Sequence, residues 1–175
     1  MELKKIIRRF LVPAPVVTLY YLLKFKAKVS PKAEVELSPL FTIGENTQIG
    51  SYVKIKATTG PLNIGKNGTI SNGCTIMASP GGIDIGDDAM IGSNVVIICN
   101  NYNYKDLDTP IRLQGETSKG VKIGNNVWIG AGSVILDGTH IEDGVIISPL
   151  SLVSGKVKKN AICAGNPAKT IFTRR

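Results

Sequence analysis

The sequence predicts an all-β solenoid in which short parallel strands stack into successive coils. The main observation is a six-residue repeat, in which an aliphatic residue, usually followed by glycine, returns at every sixth position over most of the chain. The repeat is clear at Ile43-Gly44 and Ile49-Gly50, and it resumes at Ile123 after one interruption. A helix requires apolar residues three and four apart and a half-buried strand requires alternation, so a period of six fits neither as an isolated element. Stacked coils, in contrast, bury a continuous core that no single repeat can bury alone.

Two further features agree with this fold class. The fifth residue of each hexad is small or β-branched, as expected for a position that also points inward: Thr47, Val53, Cys74, Ala89, Val95, Val127, Ser133, Val145 and Ser151. The chain also contains 19 glycines, which suit the tight turns between short strands. We therefore expect one β-solenoid domain over residues 29–158, interrupted by a long inserted loop at 100–122.

The flanking segments, residues 1–28 and 159–175, are basic, whereas the body is acidic. Residues 1–28 hold seven Lys and Arg residues against one Glu, and residues 156–175 hold six and no acid, within a total net charge of +8. A nucleic-acid-binding face would combine basic residues with aromatic ones, but only 6% of the residues are aromatic, which argues against that class of partner. Local binding of anions at each end explains the distribution better.

The N-terminal segment has two interpretations. Its apolar run is shorter than a transmembrane helix and contains Pro13 and Pro15, so it is not expected to span a bilayer. It can be an interfacial helix whose apolar residues and lysines bind a membrane surface. It can equally be a cap in which Leu11, Val16, Val17, Leu19 and Leu22 cover the first coil; both roles are compatible with one helix.

The three cysteines favour neither a disulfide framework nor a zinc site. They are odd in number, widely separated and without a CxxC pair. Cys74 occupies an inward hexad position and is expected to be a buried apolar residue. Together with the absence of a convincing signal-peptide cleavage site, this favours a cytoplasmic location.

The inserted loop and its flanks carry a family resemblance. The loop contains Tyr104, Asp106 and Gln114-Gly115 and is followed by the run Ile-Gly-Asn-Asn-Val-Trp-Ile-Gly-Ala-Gly from Ile123; the chain closes with Ala-Gly-Asn-Pro-Ala-Lys. Over residues 30–172 the sequence resembles the hexapeptide-repeat acyltransferases, in particular the sugar O-acetyltransferases related to galactoside and maltose acetyltransferases and those of surface-polysaccharide synthesis.

This resemblance implies a left-handed parallel β-helix that assembles as a homotrimer, with acetyl-CoA as co-substrate in the cleft between subunits and no metal. It also implies which positions contact the coenzyme A arm and phosphates: Ala131, Pro149, Ser154, Gly155 and Lys169. Small residues let the pantetheine lie along the coils, and a lysine suits the phosphates.

The chain departs from the family at the catalytic base. The family uses a histidine at the mouth of the loop, and the matching residue here is Tyr102, whose phenol is a poor base at neutral pH. The only histidine of the chain is His140. Counting hexads predicts that Tyr102 and His140 close adjacent coils at the same corner, with Cα atoms about 5 Å apart. His140 is thus a candidate base, assisted by Tyr102 or Asp106. The alternative is that His140 is an ordinary turn residue that points outward.

The function predicted from these features is acetyl-CoA-dependent O-acetylation of a sugar hydroxyl, on a bacterial surface-polysaccharide precursor that is free or lipid-linked. Asn100, Asn101 and Asn103 are candidate acceptor contacts, although asparagines in loops are also frequent turn formers. Two alternatives stay open: N-acetylation of an amino sugar, which needs less help from a base, and a catalytically silent trimeric scaffold.

Overall fold

The described part of the chain folds into a parallel β-helix of about six coils, preceded by a helix over Ala14–Phe25. The computed structural model describes residues 12–57 and 59–175. Each full coil contributes one strand to each of three parallel sheets, here called sheets A, B and C, which form the three walls of a prism. The chain passes from sheet A to B to C in each coil, so the prism has an A–B, a B–C and a C–A corner.

The strands are short. Sheet A contains β1 (Lys28–Val29), β4 (Gln48–Ile49), β7 (Thr69–Ile70), β10 (Met90–Ile91), β15 (Trp128–Ile129), β18 (Ile146–Ile147), β21 (Ala161–Gly165) and the antiparallel β22 (Ala168–Thr173). Sheet B contains β2 (Glu34–Val35), β5 (Lys54–Lys56), β8 (Thr75–Met77), β11 (Val96–Ile98), β16 (Val134–Ile135) and β19 (Leu152–Val153). Sheet C contains β3 (Phe41–Ile43), β6 (Leu62–Ile64), β9 (Ile83–Ile85), β14 (Val121–Ile123), β17 (His140–Ile141) and β20 (Lys156–Val157).

The repeating isoleucines form the core. On sheet C, Ile85, Ile123 and Ile141 are direct neighbours in register and are at most 3% exposed, as the stacked-coil prediction requires. The small residues at the fifth position of the hexads are buried as well. The buried hydroxyls among them are satisfied by backbone groups: Thr47 Oγ1 donates to the Gly65 carbonyl at 2.7 Å, and Ser133 Oγ donates to that of Ser148 at 3.1 Å.

A ladder of Asn and Asp side chains stabilises the C–A corner. Asp87 Oδ1 accepts the N–H of Lys66 at 2.9 Å, Asn125 Oδ1 accepts that of Asp87 at 2.8 Å, and Asp143 Oδ1 accepts that of Asn125 at 2.7 Å. Each side chain thus satisfies a backbone donor one coil away, in a turn that has no strand partner for it. This explains why Asn and Asp recur in the turns of this corner.

Helix α1 (Ala14–Phe25) covers the first coil. It starts after Pro13, with Pro15 in its first turn where no backbone donor is lost, and it ends at Lys26 in the left-handed conformation. Tyr21 is 1% exposed, packs against Phe41 with ring centroids 5.5 Å apart, and donates its hydroxyl to the Glu36 carbonyl at 3.0 Å. Burial, with smaller effects of Tyr20 and Glu36, raises the pKa of Tyr21.

The predicted cap is confirmed for part of its residues. Val17 is buried together with Tyr21, whereas Val16, Leu19 and Leu22 are about half exposed. Leu11 and the basic residues before it lie outside the described residues. Within the described part of the chain, no helix is long and apolar enough to cross a membrane.

The basic C-terminal segment extends sheet A. The strand β21 pairs in parallel with β18, and β22 folds back on β21 in antiparallel pairing. Arg174 then donates its guanidinium to the Gly144 carbonyl at 2.9 Å. Residues 159–175, predicted as a separate basic tail, thus close the far end of the prism.

Candidate active site on the inserted loop

The inserted loop leaves the prism at the B–C corner of the fourth coil. After β11 the chain forms a small antiparallel hairpin from β12 (Asn101–Tyr102) and β13 (Glu116–Thr117), with a 3₁₀ turn at Ile111–Leu113 near its tip. Asp87 and its hydrogen-bonded counterpart one coil later, Asn125, are 38 residues apart in sequence, whereas Asn125 and Asp143 in the next coil are 18 apart. The loop is therefore an insertion into one coil. It projects outward from a rigid corner, where a functional site is commonly placed.

Asp137, at the B–C corner of the following coil, holds both ends of the loop. Its Oδ1 accepts the backbone N–H groups of Lys119 and Gly120 at 2.8 and 2.9 Å, and its Oδ2 accepts the amide of Asn101 at 3.3 Å. On the other side, Ser118 Oγ donates to the Cys99 carbonyl. Sequence reasoning did not select Asp137, although it precedes a corner glycine of positive φ, Gly138, as Asp143 precedes Gly144 at the C–A corner.

The tip of the loop forms a pocket of about 530 Å³. It is lined by Asn103, Lys105, Asp106, Thr109, Leu113 and Gln114. Gln114 organises it, because its amide nitrogen donates to the Asp106 and Thr109 carbonyls at 2.7 and 2.6 Å and its oxygen accepts the Asp106 N–H at 3.1 Å. Five of the six lining residues are polar, and polar side chains around an open concavity suit a hydrophilic ligand such as a sugar.

The carboxylate of Asp106 is stabilised in its charged form. The Thr109 hydroxyl and the backbone N–H groups of Asp108 and Thr109 donate to it, and these hydrogen bonds lower the pKa of Asp106 below its ordinary value. A lowered pKa makes a carboxylate a weaker proton acceptor, so Asp106 suits binding a donor or a cation better than general-base catalysis.

The three asparagines at the start of the loop are already engaged with the protein. Asn100 donates to Glu116 Oε2 at 2.6 Å, Asn101 to Asp137, and Asn103 to the Gln114 carbonyl at 3.0 Å. The bonds of Asn100 and Asn103 hold the hairpin together, and the bond of Asn101 ties it to the next coil. Of the three residues, only Asn103 lines the loop pocket.

The predicted stacking of Tyr102 on His140 is wrong. Tyr102 pairs with Glu116 in the hairpin, and the residue that lies in register beside His140 is Lys122. The chain leaves the coil before Tyr102 can occupy a corner position, and β14 completes that coil. His140 is exposed on the outer face of sheet C between Lys122 and Lys156.

The charges around His140 are arranged about Glu142. Lys156 forms an ion pair with Glu142, Nζ to Oε1, at 2.9 Å, and the Lys159 N–H donates to Oε2 at 2.9 Å. The side-chain hydrogen bond from Lys156 is the main cause that lowers the pKa of Glu142, and the backbone hydrogen bond from Lys159 lowers it further. Within the described residues no group of three His, Cys, Asp or Glu side chains could hold a metal ion.

The residues predicted to bind coenzyme A lie at two corners. Ala131 and Pro149 are exposed at the A–B corner, and Ser154 and Gly155 are exposed at the B–C corner. Lys169 is exposed on β22 at the end of sheet A. A Cβ built on Gly155 would meet no atom within 4 Å, so the surface above this glycine is open. A single chain therefore does not gather all five residues around one cleft.

Comparison with known proteins identifies the repeats. Residues 120–155 match the family model "Bacterial transferase hexapeptide (six repeats)", and residues 61–99 match "Hexapeptide repeat of succinyl-transferase". The chain thus carries the hexapeptide repeats of these transferases, and it has the left-handed β-helix fold expected from the sequence.

Two curated relatives are similar over the repeats. A chloramphenicol acetyltransferase of Agrobacterium fabrum (strain C58 / ATCC 33970) is 48% identical over 52 residues, which are 30% of this chain and 25% of the relative. WbbJ of Escherichia coli (strain K12), named for O-acetyl transfer in lipopolysaccharide biosynthesis, is 43% identical over 54 residues, 31% of this chain and 28% of WbbJ. The matches thus span about a quarter to a third of the curated relatives.

Solved structures share the fold over nearly the whole chain. AntD, an N-acyltransferase from Bacillus cereus solved with dTDP and 3-hydroxybutyryl-CoA, superposes with a TM-score of 0.77 at 21% identity, covering 90% of this chain and 87% of AntD. A galactoside acetyltransferase in complex with coenzyme A gives a TM-score of 0.55 at 26% identity, covering 95% and 75%.

Proposed function

We propose that this protein is an acyl-CoA-dependent acyltransferase whose acceptor is a sugar. The observation that carries the proposal is a left-handed β-helix interrupted once, by a loop that is pinned at both ends and forms a polar pocket at its tip. Solved relatives of this fold were crystallised with coenzyme A or an acyl-CoA, and AntD was also crystallised with a dTDP-linked amino sugar. The acceptor would enter from the loop and the thioester along the coils.

The coenzyme A site is proposed to lie between subunits of a homotrimer in the cytoplasm. Ala131 and Pro149 would come from one subunit and Ser154 and Gly155 from its neighbour, which accounts for their separation within a single chain. Lys169 would meet a phosphate. An apolar stripe on the outer face of sheet A supports subunit contact, because successive strands place these side chains side by side: Met90, Trp128, Ile146, Ile162 and Phe172.

Acetylation of a hydroxyl on a surface-polysaccharide precursor is the first form of the reaction. The acceptor oxygen would attack the thioester carbonyl, coenzyme A would leave as the thiolate, and the hydroxyl proton would pass to a base. His140 is the proposed base, with Tyr102 and Asp106 orienting the acceptor, and Asn100, Asn101 and Asn103 shaping its site. In this form His140 would act as the base without Tyr102 stacked beside it.

Acylation of an amine is the second form, and one observation favours it. Tyr102 replaces the family histidine on the loop, while Asp106 is kept as a carboxylate by its hydrogen bonds. A neutral amine is already nucleophilic and needs no base before attack; its nitrogen would bond to the thioester carbonyl as the carbon–sulfur bond breaks, and the proton that it loses would pass to the departing coenzyme A thiolate. An Asp106 carboxylate in the loop pocket would hold the amino group of such an acceptor.

A coupled pair of measurements tests the proposal. Thermal unfolding followed against coenzyme A concentration should show a Tm that rises with ligand concentration, as for a ligand that binds the folded state alone. Release of coenzyme A from acetyl-CoA, followed with a thiol reagent, should then require a sugar. Because Cys74, Cys99 and Cys163 are all buried, the protein itself contributes little background in this assay.

The acceptor panel pairs each amino sugar with the matching hydroxyl sugar, and His140→Ala is assayed on both. Loss of turnover on hydroxyl sugars alone would assign the base to His140, whereas unchanged turnover would remove His140 from the mechanism. A protein with no response to coenzyme A would instead be a scaffold, and the proposal would fail.

A further inference from the structure

We propose that the outward face of α1 binds the surface of an anionic phospholipid bilayer. The outward face of α1 consists of Val16, Leu19, Tyr20 and Leu23, which are 52%, 53%, 39% and 74% exposed. They are spaced by three and four residues and therefore share one side of the helix. This proposal goes beyond acyl transfer and concerns where the enzyme works.

The composition of α1 requires an apolar partner. Its sequence, APVVTLYYLLKF, contains one charged residue, Lys24, and one aliphatic hydroxyl, on Thr18. A helix that is apolar on all sides is normally buried on all sides. In this structure Val17 and Tyr21 are buried and Phe25 packs partly against the core, whereas Val16, Leu19 and Leu23 stay at least half exposed.

The charges around the outward face select an anionic lipid surface. Residues 12–33 contain four lysines and no acidic residue, and all four are exposed: Lys24, Lys26, Lys28 and Lys32. The nearest acid in an ion pair is Glu45, which approaches Lys26 only to 4.0 Å while both side chains stay largely solvated. Lys24 contacts Tyr20 at the edge of the outward face and Lys26 follows the helix directly, and cations beside an apolar strip match a layer of phosphate headgroups above acyl chains.

Aromatic residues at the edge of the strip fit the same partner. Tyr20 accepts a hydrogen bond from Lys24 Nζ at 2.8 Å, and that ammonium also lies 5.0 Å from the centroid of Phe25. A tyrosine beside a lysine is the pairing found at the boundary between acyl chains and headgroups, where each side chain presents an apolar body and a polar tip.

The test uses the full chain and vesicles of two compositions. Sedimentation with vesicles of phosphatidylcholine and phosphatidylglycerol in equal parts should carry the protein down, and vesicles of phosphatidylcholine alone should carry down much less. Binding should fall as salt is added, since exposed charges are screened. The double variant Leu19→Ser/Leu23→Ser should weaken binding roughly tenfold or more, because two apolar anchors no longer enter the lipid.

The matched control is Leu107→Ser/Leu150→Ser, which removes two exposed leucines from other parts of the molecule and should bind vesicles as the wild type does. Lys24→Gln/Lys26→Gln should weaken binding and reduce its dependence on salt. The stabilisation by coenzyme A should be unchanged in the Leu19/Leu23 variant, so failure of this inference and failure of the proposed function are separate results.

Three outcomes would overturn the inference. The first is vesicle binding by the Leu19/Leu23 variant equal to that of the wild type, and the second is equal binding to both vesicle compositions. The third is a change in the sedimentation coefficient of that variant in the absence of lipid, which would make the outward face a contact between copies of the chain. Since the substituted residues are exposed, each variant should keep its thermal unfolding profile.

Discussion

Replacement of Asp137 by alanine should release the inserted loop while the β-helix stays folded. The carboxylate accepts two backbone N–H groups of the loop's end and the amide of Asn101 at its start. If each bond contributes about 1 kcal/mol net, the value for a neutral hydrogen bond, which applies here because the site is partly solvated, the loss is about 3 kcal/mol. The loop loses most of that stability, because all three bonds tie it to the next coil.

Asp143→Ala is the matched control. Asp143 also accepts a backbone N–H, that of Asn125 at 2.7 Å, but at the C–A corner away from the loop. It should lower global stability by about 1 kcal/mol and leave the loop in place.

Hydrogen exchange followed by mass spectrometry distinguishes the two variants. In Asp137→Ala the amides of Lys119 and Gly120 should exchange about 100-fold faster, the factor that corresponds to nearly 3 kcal/mol. The value of kcat/KM should fall at least tenfold, because the pocket is no longer held in one position. Equal exchange and equal activity in the two variants would refute the view that Asp137 positions the loop.

Three further predictions concern stability. Ile123→Ala should lower the free energy of unfolding by about 2–5 kcal/mol, measured by denaturant titration, because the side chain fills the middle of the sheet C wall. Gly120→Ala should be far more destabilising than Gly115→Ala, although both residues have positive φ. A Cβ on Gly120 would lie 2.3 Å from the Gly81 carbonyl oxygen, whereas the atom nearest to a Cβ on Gly115 is 3.8 Å away. Similar Tm values for the two variants would contradict this prediction. Glu142→Gln should reduce the acid sensitivity of unfolding. A carboxylate whose pKa is lowered on folding stabilises the folded protein above its ordinary pKa of 4.5, and this stabilisation is lost as the pH falls. An unchanged pH dependence of Tm below pH 4.5 would show that the Lys156 pair contributes nothing.

The core was predictable because the repeat determines which side chains face inward. Once the isoleucines set the phase of each run of hexads, the burial of Thr47 and of the other small fifth residues named above follows without knowledge of the handedness or the number of coils. Polar residues at those positions, such as Ser133, would mislead a reading by hydrophobicity alone. The period identified them as inward, and backbone carbonyls accept their hydroxyls.

The site was less predictable because loop geometry depends on contacts between distant residues. Gln114 and Asp106 are eight residues apart and Asn101 and Asp137 are thirty-six apart, and no local pattern reports that they meet. The cap was only partly foreseen for a similar reason. An apolar run predicts a helix, but which of its sides faces the prism depends on the direction in which α1 enters the first coil.

The misplaced stacking of Tyr102 has a specific cause, and it bears on the reaction. Counting sixes across the insertion assumes that the chain completes a hexad before it leaves the wall. Every complete three-residue strand of sheet C, however, has apolar residues on both sides of an outward one, as in Ile83–Ile85 and Val121–Ile123. That pattern assigns the outward position beside His140 to Lys122, so the sheet neighbour of the histidine is a cation and not Tyr102. Transfer to an amine, with Asp106 holding the acceptor, needs no base at that position, and for this reason the amino-sugar half of the acceptor panel is the more informative one.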